Sequence, residues 1–96
     1  MTKRSIYNLI GGVKTNMGKR QYTARQGQAL AFIYYYTKIH GQPPAEIDIA
    51  RYFRISPPAA HQMVVSLERR GLIERISGRA RSIRVLLARA ELPELE

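Results

Sequence analysis

The chain has no cysteine. A disulfide framework, a thiolate zinc site and a cysteine nucleophile are therefore excluded together. Histidine is scarce as well: His40 and His61 stand 21 residues apart, neither with a carboxylate or thiol at ligand spacing. No glycine-rich phosphate loop and no nucleophile beside a base is present. An enzyme is not expected, and no metal, other cofactor or small-molecule ligand is implied. No apolar run approaches the length needed to span a bilayer. Ile6 to Ile10 is too short and too polar for a signal-peptide core, so a cytoplasmic protein without membrane contact is the default.

Acids are also few. Seven Asp and Glu stand against 16 Lys and Arg, a net charge of +9. Three of the seven, Glu91, Glu94 and Glu96, crowd into the last six residues, so the first 90 carry a surplus of 12 positive charges. A domain this basic is drawn to a polyanion. Charge alone does not separate DNA from RNA or an anionic membrane; the fold must do that. The 96 residues, 45% of them hydrophobic, suffice for one small folded domain with a modest core.

The stretch from Pro43 to Leu87 organises the rest. Arg54-Ile55-Ser56 breaks one helix, whose buried side is Ile49, Ala50 and Phe53. Ser56 suits an N-cap and Pro57 the first helical position, so a second helix starts there. Ala60, Val64, Leu67 and Gly71 recur at helical spacing and predict a core-facing stripe. The opposite stripe is Pro58, Gln62, Val65 and Arg69, with Ala59, His61 and Ser66 beside it. It has small and hydrogen-bonding groups and no acid before Glu68. Such a face can approach DNA without repelling phosphate: Gln suits adenine, His suits guanine acceptors or phosphate, and Ala suits a thymine methyl. The plainer alternative is an ordinary solvated helix face.

Arg69-Arg70-Gly71 closes that helix with cations and a glycine stop. Leu72 to Ile76 and Ser82 to Leu87 then read as two strands around the turn Ser77–Arg81. Arg79 and Arg81 are placed at the tip, with Arg75 and Arg84 on the flanks. A tip of this kind reaches phosphates or a narrow minor groove, or merely solubilises the turn. Helix, turn, helix and basic hairpin together predict a mainly α (α+β) architecture, a three-helix winged helix-turn-helix. Its recognition helix is 57–70 and its wing 77–82. In this arrangement the second helix enters the major groove.

Upstream, residues 1–22 are basic and broken by Gly11-Gly12 and Gly18, an arm expected to be largely flexible, either neutralising phosphates or a leader with no role. Thr23-Ala24-Arg25-Gln26 spells a capping box, and a first helix runs from Ala24 to about His40, stopping at Gly41 before Pro43-Pro44. Leu30, Ile33 and Tyr36 or Thr37, with Phe32 beside them, are expected in the core. Ala31, Tyr35 and Ile39 form a second apolar line, and together with Tyr34 they predict a homodimer surface. The alternative is that Tyr34 and Tyr35 lie along the helix or meet the arm. The acidic tail, 88–96, is expected to fray or to form a short helix before Pro93. This divides the chain into an arm (1–22), a winged domain (23–87) and a tail.

From Tyr22 to Leu86, about two-thirds of the chain, the sequence resembles the N-terminal DNA-binding domain of the LexA repressor family. The matching pieces are Thr23-Ala24-Arg25-Gln26, Leu30, Phe32-Ile33, Gly41 with Pro43-Pro44, Ile49-Ala50, Ser56-Pro57, Leu67-Glu68-Arg69-Arg70-Gly71 and Arg81-Ser82-Ile83-Arg84-Val85. The T-A-R-Q start and the L-E-R-R-G helix end are specific in combination; the pieces around Ser56 and Leu67 alone also occur in other winged regulators. The resemblance implies a domain binding duplex DNA as a dimer on two half-sites, with base reading at Ser56, Pro58, Ala59, His61 and Gln62. It departs from the family pattern where Arg54 replaces a glycine in a shorter turn. Pro58, His61 and Gln62 also replace the family's Asn, Ser and acidic residues, so a different operator is expected. The family's second domain, a self-cleaving Ser–Lys peptidase that also dimerises the repressor, is not expected here. Self-cleavage and the DNA-damage response are therefore not inherited, and any dimer surface is expected within these 96 residues.

Three function classes follow: a DNA-binding regulator, most simply a repressor acting by promoter occupancy at the nucleoid; a winged-helix protein-interaction module; or a nonspecific architectural or RNA-binding protein. Gln62 and His61 beside Ala59 favour the first.

Overall fold

The computed structural model describes residues 22–96. Except for Tyr22, the basic arm expected over 1–22 lies outside them. Three helices, a short antiparallel hairpin and a 3-10 turn follow in order: α1 (Ala24–His40), α2 (Glu46–Phe53), α3 (Pro57–Arg69), β1 (Ile73–Glu74), β2 (Arg84–Val85) and the turn Arg89–Glu91. This is the winged helix-turn-helix expected from the sequence.

Each helix begins where its capping chemistry dictates. Thr23 Oγ1 accepts the Gln26 N–H at 3.1 Å while Gln26 Oε1 accepts the Thr23 N–H at 3.0 Å, a reciprocal capping box. Ala45, which has no capping side chain, is served instead by Asp48, whose Oδ2 accepts the Ala45 N–H at 2.8 Å. Ser56 Oγ accepts the Ala59 N–H at 3.2 Å, with Pro57 at the first helical position. α1 closes on Gly41 at φ +75°.

α2 closes differently. Arg54 sits in the left-handed region at φ +56°, ψ +48°, and the following Ile55 N–H reaches back to the Ala50 carbonyl at 3.0 Å. A β-carbon in this conformation costs about 1 kcal/mol that glycine avoids. Arg54→Gly is thus expected to raise the melting temperature by roughly 4–8 °C. Thermal unfolding checks this, and a lower melting point would mean that the arginine side chain contributes more than its backbone costs.

The core gathers Leu30 and Ile33 of α1, Ile49 of α2, Val64 and Leu67 of α3, then Leu72, Ile73, Ile83 and Leu87. Ala60, Val64 and Leu67 of the predicted α3 stripe are fully buried. Gly71 is not: it is exposed at φ +75°, acting as the helix stop. On the α1–α2 edge, the Phe32 ring stacks on Tyr52 at 4.4 Å and meets Phe53 edge-on at 5.8 Å.

Two expectations are corrected. The strands are shorter than the sequence pattern suggests, two residues each, in the register Ile73↔Val85 and Glu74↔Arg84. The ladder stops because Ser82 competes for the backbone. Its Oγ accepts the Ile76 N–H at 3.0 Å and lies 2.9 Å from the Arg79 carbonyl. The second concerns the fraying expected of the tail: its alternative, a short helix before Pro93, is what stands, as the 3-10 turn Arg89–Glu91. Tyr22 Oη donates to the Glu91 carbonyl at 2.5 Å, Gln28 Nε2 to the Glu94 carbonyl at 2.8 Å, and Tyr52 Oη to the Glu96 carbonyl at 2.8 Å. Leu92 and Leu95 pack against the core.

The docked tail explains a third difference. Ala31, expected on an exposed dimer surface, is completely buried. It lies one turn beyond Gln28, on the side that the tail covers. Residues 29 to 33 are buried in succession because α1 runs between the tail on one side and the rest of the domain on the other. Gly27 is buried at this contact: a Cβ there would fall 2.7 Å from the Tyr22 ring and 3.1 Å from Pro93.

Candidate nucleic-acid interface

α3 presents two faces. One carries the buried stripe; the other exposes Pro58, Ala59, His61, Gln62 and Arg69, with Val65 half-buried among them. The cap fixes where this face begins, since the Ser56 hydroxyl is occupied by the Ala59 N–H. Gln62 and Arg69 make no side-chain hydrogen bond or ion pair with any described residue. Their polar groups are available to a ligand. Ser66 turns the other way: its Oγ accepts Gln26 Nε2 of α1 at 3.4 Å, so its hydroxyl ties two helices together.

His61 is engaged from the side. Its Nδ1 lies 3.1 Å from both carboxylate oxygens of Glu46 at the start of α2. By its place in the sequence Glu46 is only an acid near the positive end of the α2 dipole. The pair bridges 15 residues of chain and has no local signature.

The wing's arginines divide into two groups. Arg79 is exposed at the tip, and its guanidinium has no partner among the described residues. Arg81, expected beside it at the tip, folds back toward the body. Its Nη1 lies 3.1 Å from Asp48 Oδ2 and 3.3 Å from both Tyr36 Oη and the Pro43 carbonyl. These contacts span three segments, and Arg81 accepts a left-handed backbone (φ +55°) to make them. The hydrogen bond to Tyr36 chiefly raises its pKa above the ordinary arginine value; burial opposes this, and the Asp48 carboxylate adds to the rise. Arg84 pairs across the hairpin with Glu74, Nε to Oε2 at 2.7 Å, and Arg75 pairs with Glu68 at the end of α3 at 3.0 Å. A cleft of about 250 Å³ separates the wing from the start of α2, lined by Glu46, Arg75, Arg79 and Arg81 among others.

At the far end of α1, Ile39 is 76% exposed, and Tyr34 and Tyr35 are half-buried, their rings edge-to-face at 5.2 Å. Tyr35 Oη accepts Arg89 Nη2 of the tail at 3.2 Å. Tyr34 also borders an open groove of about 480 Å³ between α1 and β2. Among the described residues no group of three His, Asp or Glu side chains stands at metal-binding geometry, and no helix is long and apolar enough to cross a membrane.

The family model for the LexA DNA binding domain matches residues 19–82. A LexA repressor of Thermotoga neapolitana is 42% identical over 66 residues, covering 69% of this chain and 34% of its own. A LexA repressor of Actinobacillus pleuropneumoniae serotype 5b is 37% identical over 76 residues, covering 78% and 36%. That of Thermotoga maritima is 39% identical over 66 residues, covering 69% and 34%. The chain spans about a third of the length of these relatives.

Proposed function

Because the chain belongs to the LexA DNA-binding domain family, we propose that it is a sequence-specific double-stranded DNA-binding transcriptional regulator that represses by occupying promoters. The observation that carries this is the outer face of α3: exposed, free of acid from Pro58 to Leu67, and offering Gln62 and Arg69 without protein partners. Residues 23–87 form the DNA-binding unit. The N-terminal half of α3 lies in the major groove, with Gln62 and His61 at base edges and Ala59 against a thymine methyl. Pro58 and Val65 fill the groove around them. Arg69 and Arg79 take phosphates, Arg79 from the wing. Arg81 and Ser66 hold the wing and α3 in place, and Arg84 with Glu74 stiffens the hairpin. The protein works as a homodimer on two half-sites, self-associating through Tyr34, Tyr35 and Ile39.

Selection of bound duplexes from a random pool at near-physiological salt tests this. An enriched palindrome is expected, its half-site spacing giving the dimer geometry. Binding without enrichment would point instead to an architectural or RNA-binding protein, and no binding to a docking module.

The two wing arginines give a second test. Arg79→Ala is expected to weaken all duplexes alike and to reduce the slope of log K against log salt by about one. Arg81→Ala is expected to leave that slope unchanged while hydrogen exchange in the hairpin accelerates. Equal loss of slope in both variants would mean that Arg81 leaves Asp48 to meet phosphate.

A further inference from the structure

We infer that Glu46 fixes the tautomer of His61 and thereby sets which base edge the recognition helix accepts; this rests on α3 being the base-reading helix. Both Glu46 carboxylate oxygens stand 3.1 Å from His61 Nδ1. An ionised carboxylate only accepts hydrogen bonds, so Nδ1 carries the hydrogen. In the neutral ring Nε2 is then a bare acceptor. Nε2 has no partner among the described residues, and His61 is exposed on the outer face of α3, so Nε2 is the nitrogen that meets a ligand.

A bare acceptor discriminates. It bonds the exocyclic amino group of adenine or cytosine, and it repels N7 and O6 of guanine, which are acceptors too. A second proton on the ring reverses this, turning Nε2 into a donor suited to guanine or phosphate. The choice made by His61 is therefore imposed from α2, by a residue that touches no base. Glu46 is a positioning residue. Charges near this corner include Asp48 on α2 and the wing cations Arg75, Arg79 and Arg81, which line a cleft with Glu46. Of these, Arg75 is held by Glu68 and Arg81 by Asp48. Within one turn of His61, α3 itself has no charged residue.

Glu46→Gln keeps the shape and removes the constraint. A glutamine amide can donate to Nδ1, which moves the ring hydrogen to Nε2. Two readouts separate the inference from the function it rests on. The first needs no DNA: imidazole nitrogen shifts by NMR on the whole protein, followed upward in pH until they stop changing, read the tautomer of the neutral ring. The Nδ1–H form is expected in the wild type and a shift toward Nε2–H in Glu46→Gln. An Nε2–H ring in the wild type would overturn the inference.

The second is selection from a random duplex pool at about pH 8 and about pH 5.5. At the pair facing His61, the wild type is expected to favour adenine or cytosine over guanine at the higher pH. The margin is roughly three- to tenfold, the worth of one hydrogen bond. Preference should move toward guanine at the lower pH. Glu46→Gln is expected to accept guanine at both, with an unchanged melting temperature. A wild-type preference that ignores both pH and Glu46→Gln would overturn the inference while leaving DNA binding intact. Absence of any enriched sequence, with the tautomer as expected, would instead refute the base-reading role of α3.

Discussion

Leu67→Ala is expected to lower the melting temperature by roughly 10–30 °C. Leu67 is completely buried where α3 meets the rest of the core. Truncating such a leucine costs about 2–5 kcal/mol, the spread reflecting how far the cavity collapses. A domain of this size has on the order of 5 kcal/mol to lose, and each kcal/mol moves the midpoint by about 4–8 °C. The variant should sit close to its unfolding transition at 37 °C. Apparent DNA affinity should fall with the folded fraction, although no group on the outer face of α3 has changed. Denaturant titration measures the loss directly. A cost below about 1 kcal/mol would mean that α3 is not seated on Leu67 as described.

Gln62→Ala is expected to do the reverse, leaving the melting temperature unchanged and relaxing the choice of bases. A bidentate glutamine–adenine contact contributes about 1–3 kcal/mol of discrimination, roughly 5- to 150-fold between the preferred base and its competitors. The exposed, partner-free amide of Gln62 has nothing to lose inside the protein, so the effect should be confined to one or two base pairs. Competition binding against a library randomised at each position reads it. Uniform weakening across the library would make Gln62 a backbone contact, and an unaltered profile would remove it from the interface.

How much of this was legible in the sequence follows from the range of each interaction. The caps at Thr23 and Ser56, the stops at Gly41 and Gly71 and the stripe positions Ala60, Val64 and Leu67 of α3 are local, set within four residues or by helical period, and they stand where the sequence put them. The strand lengths were not legible, because a serine side chain, not the alternation of apolar residues, ends the pairing. Ala31 was misplaced because a periodic reading of α1 assumes one buried side. Leu92 and Leu95 were the available signal that a second element would cover the other. The engagements of His61 and Arg81 were also missed. Their partners lie 15 and, for Tyr36, 45 residues away, and nothing in the local spelling distinguishes an arginine aimed at phosphate from one anchored to an aspartate.

The docked tail also gives the molecule an electrical direction. Gln26 and Gln28 point to opposite sides of α1, the first toward Ser66 of α3 and the second toward Glu94 and Glu96. The acids crowded at the chain's end are thereby held behind α1, away from α3. Of the remaining four acids, Asp48, Glu68 and Glu74 each face an arginine, and Glu46 faces His61. Arg69 and Arg79 are thus left as positive charge without a carboxylate partner among the described residues. Near a polyanion that face is the one drawn inward. The share of encounters so aligned should shrink as salt screens the field.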